Sequence, residues 1–115
     1  MTKDIAPELY EACEKDFDSL VKGSKKIQKY LTKVKDGKAT YEDMYYYSTQ
    51  IGECLKQAFK DNISEDMLPD GRMYYNIAER VVRPLMEKAE LMIDETCTAV
   101  QDELNAKAGL GVKSV

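Results

Sequence analysis

Histidine and tryptophan are absent from this 115-residue sequence. Histidine is the usual general base near neutral pH and the commonest metal ligand, so its absence excludes Ser-His-Asp and Cys-His catalytic arrangements. Glycine-rich phosphate-binding loops and the acidic spacing of a calcium-binding loop are absent as well. We therefore predict a protein that is not an enzyme and has no catalytic, cofactor-binding or metal site.

Cysteine is scarce, and its spacing suggests no pairing. Cys13, Cys54 and Cys97 form no CxxC motif, and an odd number of cysteines without a secretion signal indicates reduced thiols. Each cysteine occupies an apolar helical position, which favours a buried structural side chain. No apolar run approaches the length of a membrane span, and the N-terminus lacks the apolar segment of a signal peptide. We therefore expect a soluble protein of the cytoplasm.

Interruptions of regular structure are few, because the chain has only three prolines and six glycines. Apolar residues recur at steps of three and four rather than in the alternation that strands require. The sequence therefore predicts a single all-α domain over residues 1–115, with helices over residues 6–35, 41–60 and 72–107.

Four residues bear on where these helices begin, weaken or bend. Gly23 weakens the first helix by roughly 1 kcal/mol relative to alanine. Thr40, followed three residues later by Asp43, approximates a capping box at the start of the second helix. Pro84 removes a backbone donor inside the third helix, so we expect this long helix to be kinked near Pro84.

Charge is distributed unevenly along the predicted helices. The first helix begins acidic and ends basic, whereas the third helix begins basic and ends acidic. Parallel packing of these two helices places opposite charges side by side, although each exposed pair contributes only about 0–1 kcal/mol. The pattern predicts an elongated three-helix bundle with up-down-up topology.

The second predicted helix is too short to cover its two longer neighbours. We therefore expect apolar surface around Val100 and Leu104, near the end of the third helix, to be exposed in the monomer. Contiguous exposed apolar surface commonly marks an interface. The sequence predicts self-association or partner binding at this position.

Tyrosine is abundant, with eight residues that include a run at 45–47 and a pair at 74–75. Three consecutive residues span about 200° of a helix, so the run cannot face one core and at least one ring is exposed. Tyrosine is favoured at interfaces because it offers a large apolar area and a polar tip. Mixed core and surface packing is one interpretation, and a binding face that contains Tyr45, Tyr46 and Tyr75 is the other.

A stripe of lysines follows helical spacing in the first predicted helix. Nucleic-acid phosphates are one ligand for such a stripe, whereas pairing with the acidic face of the third helix, or solvation, is the alternative. We favour the alternative because the net charge is −4 and no aromatic residues are interleaved for base stacking, so nucleic acid is not an expected partner. The stripe contains Lys22, Lys26, Lys29 and Lys33.

Two segments, residues 68–85 (LPDGRMYYNIAERVVRPL) and residues 100–113 (VQDELNAKAGLGVK), suggest a family. They resemble, in the same order, segments of phage and prophage minor head proteins, which are head-morphogenesis proteins encoded near the portal in tailed phages of Gram-positive bacteria. Residues 1–60 resemble that family only as a generic helical lead-in. The resemblance implies a structural role, namely binding of portal or capsid components during head assembly, in the host cytoplasm or in the virion.

The resemblance carries over no functional residues. Proteins of that family continue into a C-terminal region with cysteines and a histidine suited to metal binding, so the resemblance implies that this sequence is an N-terminal fragment or a stand-alone derivative. The alternative function is a small phage inhibitor of a host defence system, such as an anti-CRISPR protein. Small size, net negative charge and a helical build without an active site suit both functions.

Overall fold

The computed structural model of the protein describes residues 4–67 and 71–108, and these residues form helices and turns without a β-strand. The predicted all-α class is confirmed. None of the helices in these ranges combines the length and the apolar character needed to cross a membrane. The elements are α1 (Ala6–Gly23), α2 (Lys25–Lys35), α3 (Tyr41–Asn62), a 3-10 turn (Glu65–Met67), α4 (Gly71–Ile77), a π-helical stretch (Ala78–Val82) and α5 (Arg83–Ala108).

The predicted first helix is divided into α1 and α2 at Ser24. The backbone of Ser24 is extended, with φ −80° and ψ 112°, and its hydroxyl accepts a hydrogen bond of 3.2 Å from the Ile27 N–H. Serine favours this position because its side chain satisfies an N–H that the first helical turn leaves unpaired. Next to Gly23, which already disfavours helix, this cap ends α1. The prediction of one continuous helix over residues 6–35 is therefore wrong.

The start of α3 follows the predicted capping box. The Asp43 N–H donates to the Thr40 hydroxyl at 3.2 Å, and the Thr40 N–H donates to the Asp43 carboxylate at 3.0 Å. At the other end, the Asn62 side chain donates at 2.8 Å both to the Ala58 carbonyl and to the Asp16 carboxylate of α1. The helix is thus capped at its start by local sequence and tied to α1 at its end.

The third predicted helix consists of α4, the π-helical stretch and α5. Pro84 has no N–H, so it cannot complete an α-helical hydrogen bond to the residue four positions earlier. The Arg83 N–H instead donates to the Ala78 carbonyl, five residues back. Hydrogen bonding of the π type therefore lies just before the proline, where the sequence predicts a kink.

Contacts between the first and last parts of the chain show the helix directions. Asp4, before α1, forms an ion pair of 2.6 Å with Arg80, and the Gly37 carbonyl, after α2, accepts a hydrogen bond from Lys107. The residue before α1 contacts the first part of the segment from α4 to α5, and the residue after α2 contacts the last part of that segment. Therefore α1 and α2 run in the same direction as α5. Tyr41, the first residue of α3, accepts a hydrogen bond from Gln101, so α3 runs in the opposite direction. The molecule measures 66 × 31 × 18 Å.

The core lies along the length of the bundle between these helices. Phe17 of α1, Ile51 of α3 and Leu85 of α5 are fully buried, and burying each such side chain contributes about 1.5–3 kcal/mol. Cys13 is also fully buried, as predicted, and burial raises the pKa of its thiol to about 11. Cys54 and Cys97 are only half-buried, and all three cysteines are free thiols.

Candidate interaction surface

The tyrosine run at the start of α3 is split between core and surface. Tyr47 is 3% exposed and belongs to the core, whereas Tyr45 is 69% and Tyr46 42% exposed. Successive helical residues are rotated by about 100°, so packing Tyr47 inward turns its two predecessors outward. The prediction that at least one of these rings is exposed is confirmed.

The exposed rings form a cluster with a tyrosine from α2. The Tyr30 and Tyr46 rings stack, with centroids 6.2 Å apart and planes at 11°. The Tyr45 ring meets Tyr46 edge-on, with centroids 5.7 Å apart and planes at 69°. We refer to Tyr30, Tyr45 and Tyr46 as the tyrosine face. Because two packed helices hold these rings against one another, they are ordered before any partner arrives.

A buried carboxylate ties α2 to α3 next to the tyrosine face. Lys33 forms an ion pair of 3.1 Å with Asp43, whose side chain is buried. Burial raises the pKa of Asp43, but the hydrogen bonds from the Thr40 backbone and from Lys33 outweigh it and hold that pKa below its ordinary value. The capping box and this ion pair share one carboxylate, so the start of α3 is fixed relative to α2.

Negative charge also lies beside the tyrosine face. The Glu42 carboxylate, one turn before Tyr46, raises the pKa of the Tyr46 phenol through its charge and by accepting a hydrogen bond from the phenol. At neutral pH the phenol keeps its proton. The face therefore presents apolar rings with hydrogen-bonding tips.

The structure divides the predicted lysine stripe. Lys22 belongs to α1, and the other three lysines belong to α2 beyond the break at Ser24. Lys33 pairs with Asp43 of α3 rather than with the third predicted helix, and the remaining stripe lysines are exposed. Lys26 and Lys33 lie one helical turn before and after Tyr30, so an aromatic ring is interleaved with these lysines, contrary to the sequence interpretation.

Val100 and Leu104 do not form the open apolar surface that the helix lengths predicted. Val100 is 2% exposed, and Leu104 is half-buried. The turn between α2 and α3 covers this part of α5, where Ala39 and Tyr47 line the same small recess as Val100. The prediction is wrong for Val100 because the turn residues after α2 reach the end of α5 and supply the cover that α3 alone cannot.

This turn depends on a glycine. Gly37 has φ +69°, in the left-handed region, and its carbonyl accepts the hydrogen bond from Lys107. A Cβ atom at Gly37 would lie 2.8 Å from the Glu103 carboxylate. The turn therefore favours glycine for its backbone angle, whereas the exposed end of the Glu103 side chain can move away from a Cβ atom.

Tyr75 lies apart from the tyrosine face. It is exposed on α4, together with Tyr74. Tyr41, one helical turn before Tyr45, contacts Gln101 of α5. Tyr75 lies 26 residues before Gln101 in the continuous helical segment from α4 to α5. At 1.5 Å per residue this separation is about 39 Å. The structure therefore does not bring Tyr75 together with Tyr45 and Tyr46.

A groove of about 510 Å³ lies at the far end of the molecule, between α1 and the π-helical stretch. Two of its lining side chains pair with each other, since the Tyr10 hydroxyl donates to Glu14 at 3.0 Å. Lys88, which lies outside the lining, donates to the same carboxylate at 3.3 Å. Burial and the Glu14 carboxylate both raise the pKa of Tyr10. Over residues 4–67 and 71–108, no group of three or more histidine, cysteine or acidic side chains is placed to hold a metal ion.

Two apolar features of the surface were not predicted from the sequence. Half-buried Tyr30 was not among the predicted residues, although its place one helical turn from Lys26 and Lys33 was a usable signal. Leu91 is 58% exposed on α5, in a segment of acidic residues. The signal in the sequence was that Leu91 lies outside the three- and four-residue apolar pattern of its helix.

Comparisons with known proteins identify no relative of this chain. No protein-family model, no curated protein and no solved structure matches this chain.

Proposed function

We propose that this protein is a non-enzymatic helical module that binds another protein through the tyrosine face. The observation that carries the proposal is the ordered cluster of Tyr30, Tyr45 and Tyr46 on two packed helices. Tyrosine is enriched at binding hot spots because it buries a large area at a low cost in side-chain entropy. Absence of catalysis is part of this proposal, and it is supported by a sequence without histidine.

The proposed scaffold is an elongated up-down-up bundle with a kinked third rod. In this description α1 and α2 together form the first rod, α3 the second, and α4, the π-helical stretch and α5 the third. The module would operate in the cytoplasm of a phage host or within the virion. It would work as a rigid spacer that presents the tyrosine face near one end.

The partner that we propose is a portal or capsid component of a tailed phage. Support comes from the resemblance of residues 68–85 and 100–113 to minor head proteins. Within the described part of these segments, Ile77, Val81, Leu85 and Val100 are buried. The resemblance therefore includes core positions, and it bears on the fold as well as on the role.

The test is binding of the purified protein to purified portal and major capsid proteins of a tailed phage of Gram-positive bacteria. A Tyr45→Ala/Tyr46→Ala variant should bind at least about tenfold more weakly, which corresponds to about 1.4 kcal/mol. The matched control is Tyr74→Ala/Tyr75→Ala, which removes two adjacent exposed tyrosines from α4 and should bind like the unmodified protein.

Three results would contradict parts of the proposal. Unchanged binding by Tyr45→Ala/Tyr46→Ala would refute the tyrosine face, and loss of binding by the control alone would move the interface to α4. Binding to a host defence complex, and to neither head component, would assign the module to inhibition of host defence instead.

A further inference from the structure

The surface of α2 carries charge of one sign. This helix of 11 residues contains five lysines and no acidic residue. Lys33 pairs with Asp43 of α3, whereas Lys25, Lys26 and Lys29 are exposed and form no ion pair with another described residue. We call these three exposed lysines the basic face. It borders the tyrosine face because Tyr30 follows Lys26 by one helical turn.

The surface of α5 carries the opposite sign. Residues 89–106 contain five acidic residues and no lysine or arginine. Exposed Leu91 lies among them, with Asp94 and Glu95 following it by three and four residues and therefore on the same side of the helix. We call Leu91, Asp94 and Glu95 the acidic face. It combines an apolar centre with charged neighbours, as interfaces commonly do.

The two faces do not neutralise each other within one molecule. The inward side of α2 buries Ile27, and the inward side of α5 buries Ala89 and Val100, so the opposite sides of these helices point away from the shared core. Throughout residues 4–67 and 71–108, no ion pair joins a lysine of α2 to an acidic residue of α5. Of the two arrangements favoured from the sequence, pairing of the lysine stripe with that acidic face does not occur among these residues, whereas Lys22, Lys26 and Lys29 are exposed to solvent.

We propose that the basic face of one copy binds the acidic face of a second copy of this chain. In that contact Leu91 packs against the rings of Tyr30 and Tyr46, while the surrounding lysines and carboxylates pair. The contact is heterologous, because each copy uses a different surface, so it generates a ring or an open chain of subunits. The inference rests on the proposed function in one respect, which is the use of the tyrosine face for binding.

The first measurement is the mass of the purified protein in solution as a function of salt. At about 0.01 M salt, where the screening length is about 30 Å, the weight-average mass from light scattering should rise with concentration to at least twice the monomer mass of 13.1 kDa. At about 1 M salt, where the screening length is about 3 Å, it should return to the monomer mass. A protein that stays monomeric at low salt would overturn the inference.

Charge exchange provides the decisive test. Lys26→Glu/Lys29→Glu makes the basic face acidic, and Asp94→Lys/Glu95→Lys makes the acidic face basic. Each variant alone should stay monomeric at low salt, because its two faces then carry the same sign. An equimolar mixture should regain association, since each altered face meets a complementary one. Variants that associate alone, or a mixture that stays monomeric while both variants remain helical by circular dichroism, would refute the contact.

A matched control distinguishes an effect of the basic face on association from an effect of the net charge. Lys26→Glu/Lys29→Glu shifts the net charge by −4, from −4 to −8. Lys56→Glu/Lys60→Glu on exposed positions of α3 produces the same −8 and leaves the basic face intact, so it should associate like the unmodified protein. Loss of association in this control would attribute the effect to overall repulsion and overturn the inference.

The two proposals fail separately. A charge-exchanged mixture that stays monomeric, together with weakened head-protein binding by Tyr45→Ala/Tyr46→Ala, refutes self-association and leaves the proposed function standing. Restored association in the mixture, together with unchanged head-protein binding by the tyrosine variant, supports self-association and refutes the proposed use of the tyrosine face for head proteins.

Discussion

The ring of Tyr30 on α2 stacks on the ring of Tyr46 on α3, although the two residues are 16 positions apart in the chain. Aromatic pairs of this kind contribute about 0.5–1.5 kcal/mol beyond the area that they bury. The stack therefore joins α2 to the first part of α3.

We expect a double-mutant cycle with Tyr30→Ala and Tyr46→Ala to give a coupling free energy of about 0.5–1.5 kcal/mol in denaturant unfolding. A cycle that combines Tyr30→Ala with Tyr74→Ala is the control, and its two effects should add, because Tyr74 lies on α4. Additive effects in the first cycle would show that the stacked rings do not stabilise each other.

Asp43 makes the stability of the fold sensitive to acid. Its pKa is lowered in the folded state, so it contributes stability above the pKa of the unfolded chain and loses that contribution as the pH falls through the folded pKa. Asp43→Asn should therefore reduce the free energy of unfolding at pH 7 and flatten its fall as the pH drops below the ordinary aspartate pKa of 3.8. Denaturant unfolding across this range measures both effects.

The control for Asp43 is Asp102, an exposed aspartate of α5 outside the acidic face. Asp102→Asn should leave the free energy of unfolding at pH 7 close to that of the unmodified protein. An Asp43→Asn variant with the same acid dependence as the unmodified protein would contradict the assignment of this carboxylate.

Cys13 makes the stability of the fold sensitive to high pH rather than to acid. Burial raises its folded pKa from 9.0 to about 11, so the unfolded chain releases the thiol proton first. Stability is therefore fully present below pH 9 and falls by about 2–3 kcal/mol as the pH rises to 11, at about 1.4 kcal/mol per pKa unit. Cys13→Ala should remove this component of the slope, although the cavity it leaves lowers stability at every pH.

Thiol labelling offers an independent measurement on the same residue. In the native protein at neutral pH, Cys54 and Cys97 should react with a thiol reagent while Cys13 reacts only on unfolding, because it is fully buried. Labelling of all three cysteines at equal rates in the folded protein would contradict the burial of Cys13.

Near the end of α5, Val100 is buried in the core, whereas Leu104, one helical turn later, is half-buried. Val100→Ala should lower the free energy of unfolding by about 1–3 kcal/mol, because it leaves a cavity beneath the turn after α2. Leu104→Ala removes a larger side chain but should cost less, since Leu104 is only half-buried. Thermal unfolding of the two variants provides the comparison, and a negligible loss for Val100→Ala would restore the interpretation from helix lengths, in which this side chain is exposed.

Local features of the chain were readable from the sequence because neighbours a few residues apart create them. The three- and four-residue steps of apolar residues predicted the helices, and Thr40 with Asp43 predicted the cap that the structure contains. The run at 45–47 required an exposed ring because helical geometry alone rotates successive residues apart. The division at Ser24 was also local, but a serine cap beside Gly23 competes with a continuous apolar stripe, and the stripe dominated the prediction.

Tertiary structure decided every relationship between distant residues. The relative rotation of the helices and the reach of the turn at Gly37 decide three such contacts. They are the cover over Val100, the pairing of Lys33 with Asp43 and the stacking of Tyr30 on Tyr46. Helical periodicity specifies which residues share a side of one helix, but it does not specify the neighbour that side meets. That choice follows from burying the apolar sides of all the helices at once, which leaves the basic and acidic faces on separate outer surfaces.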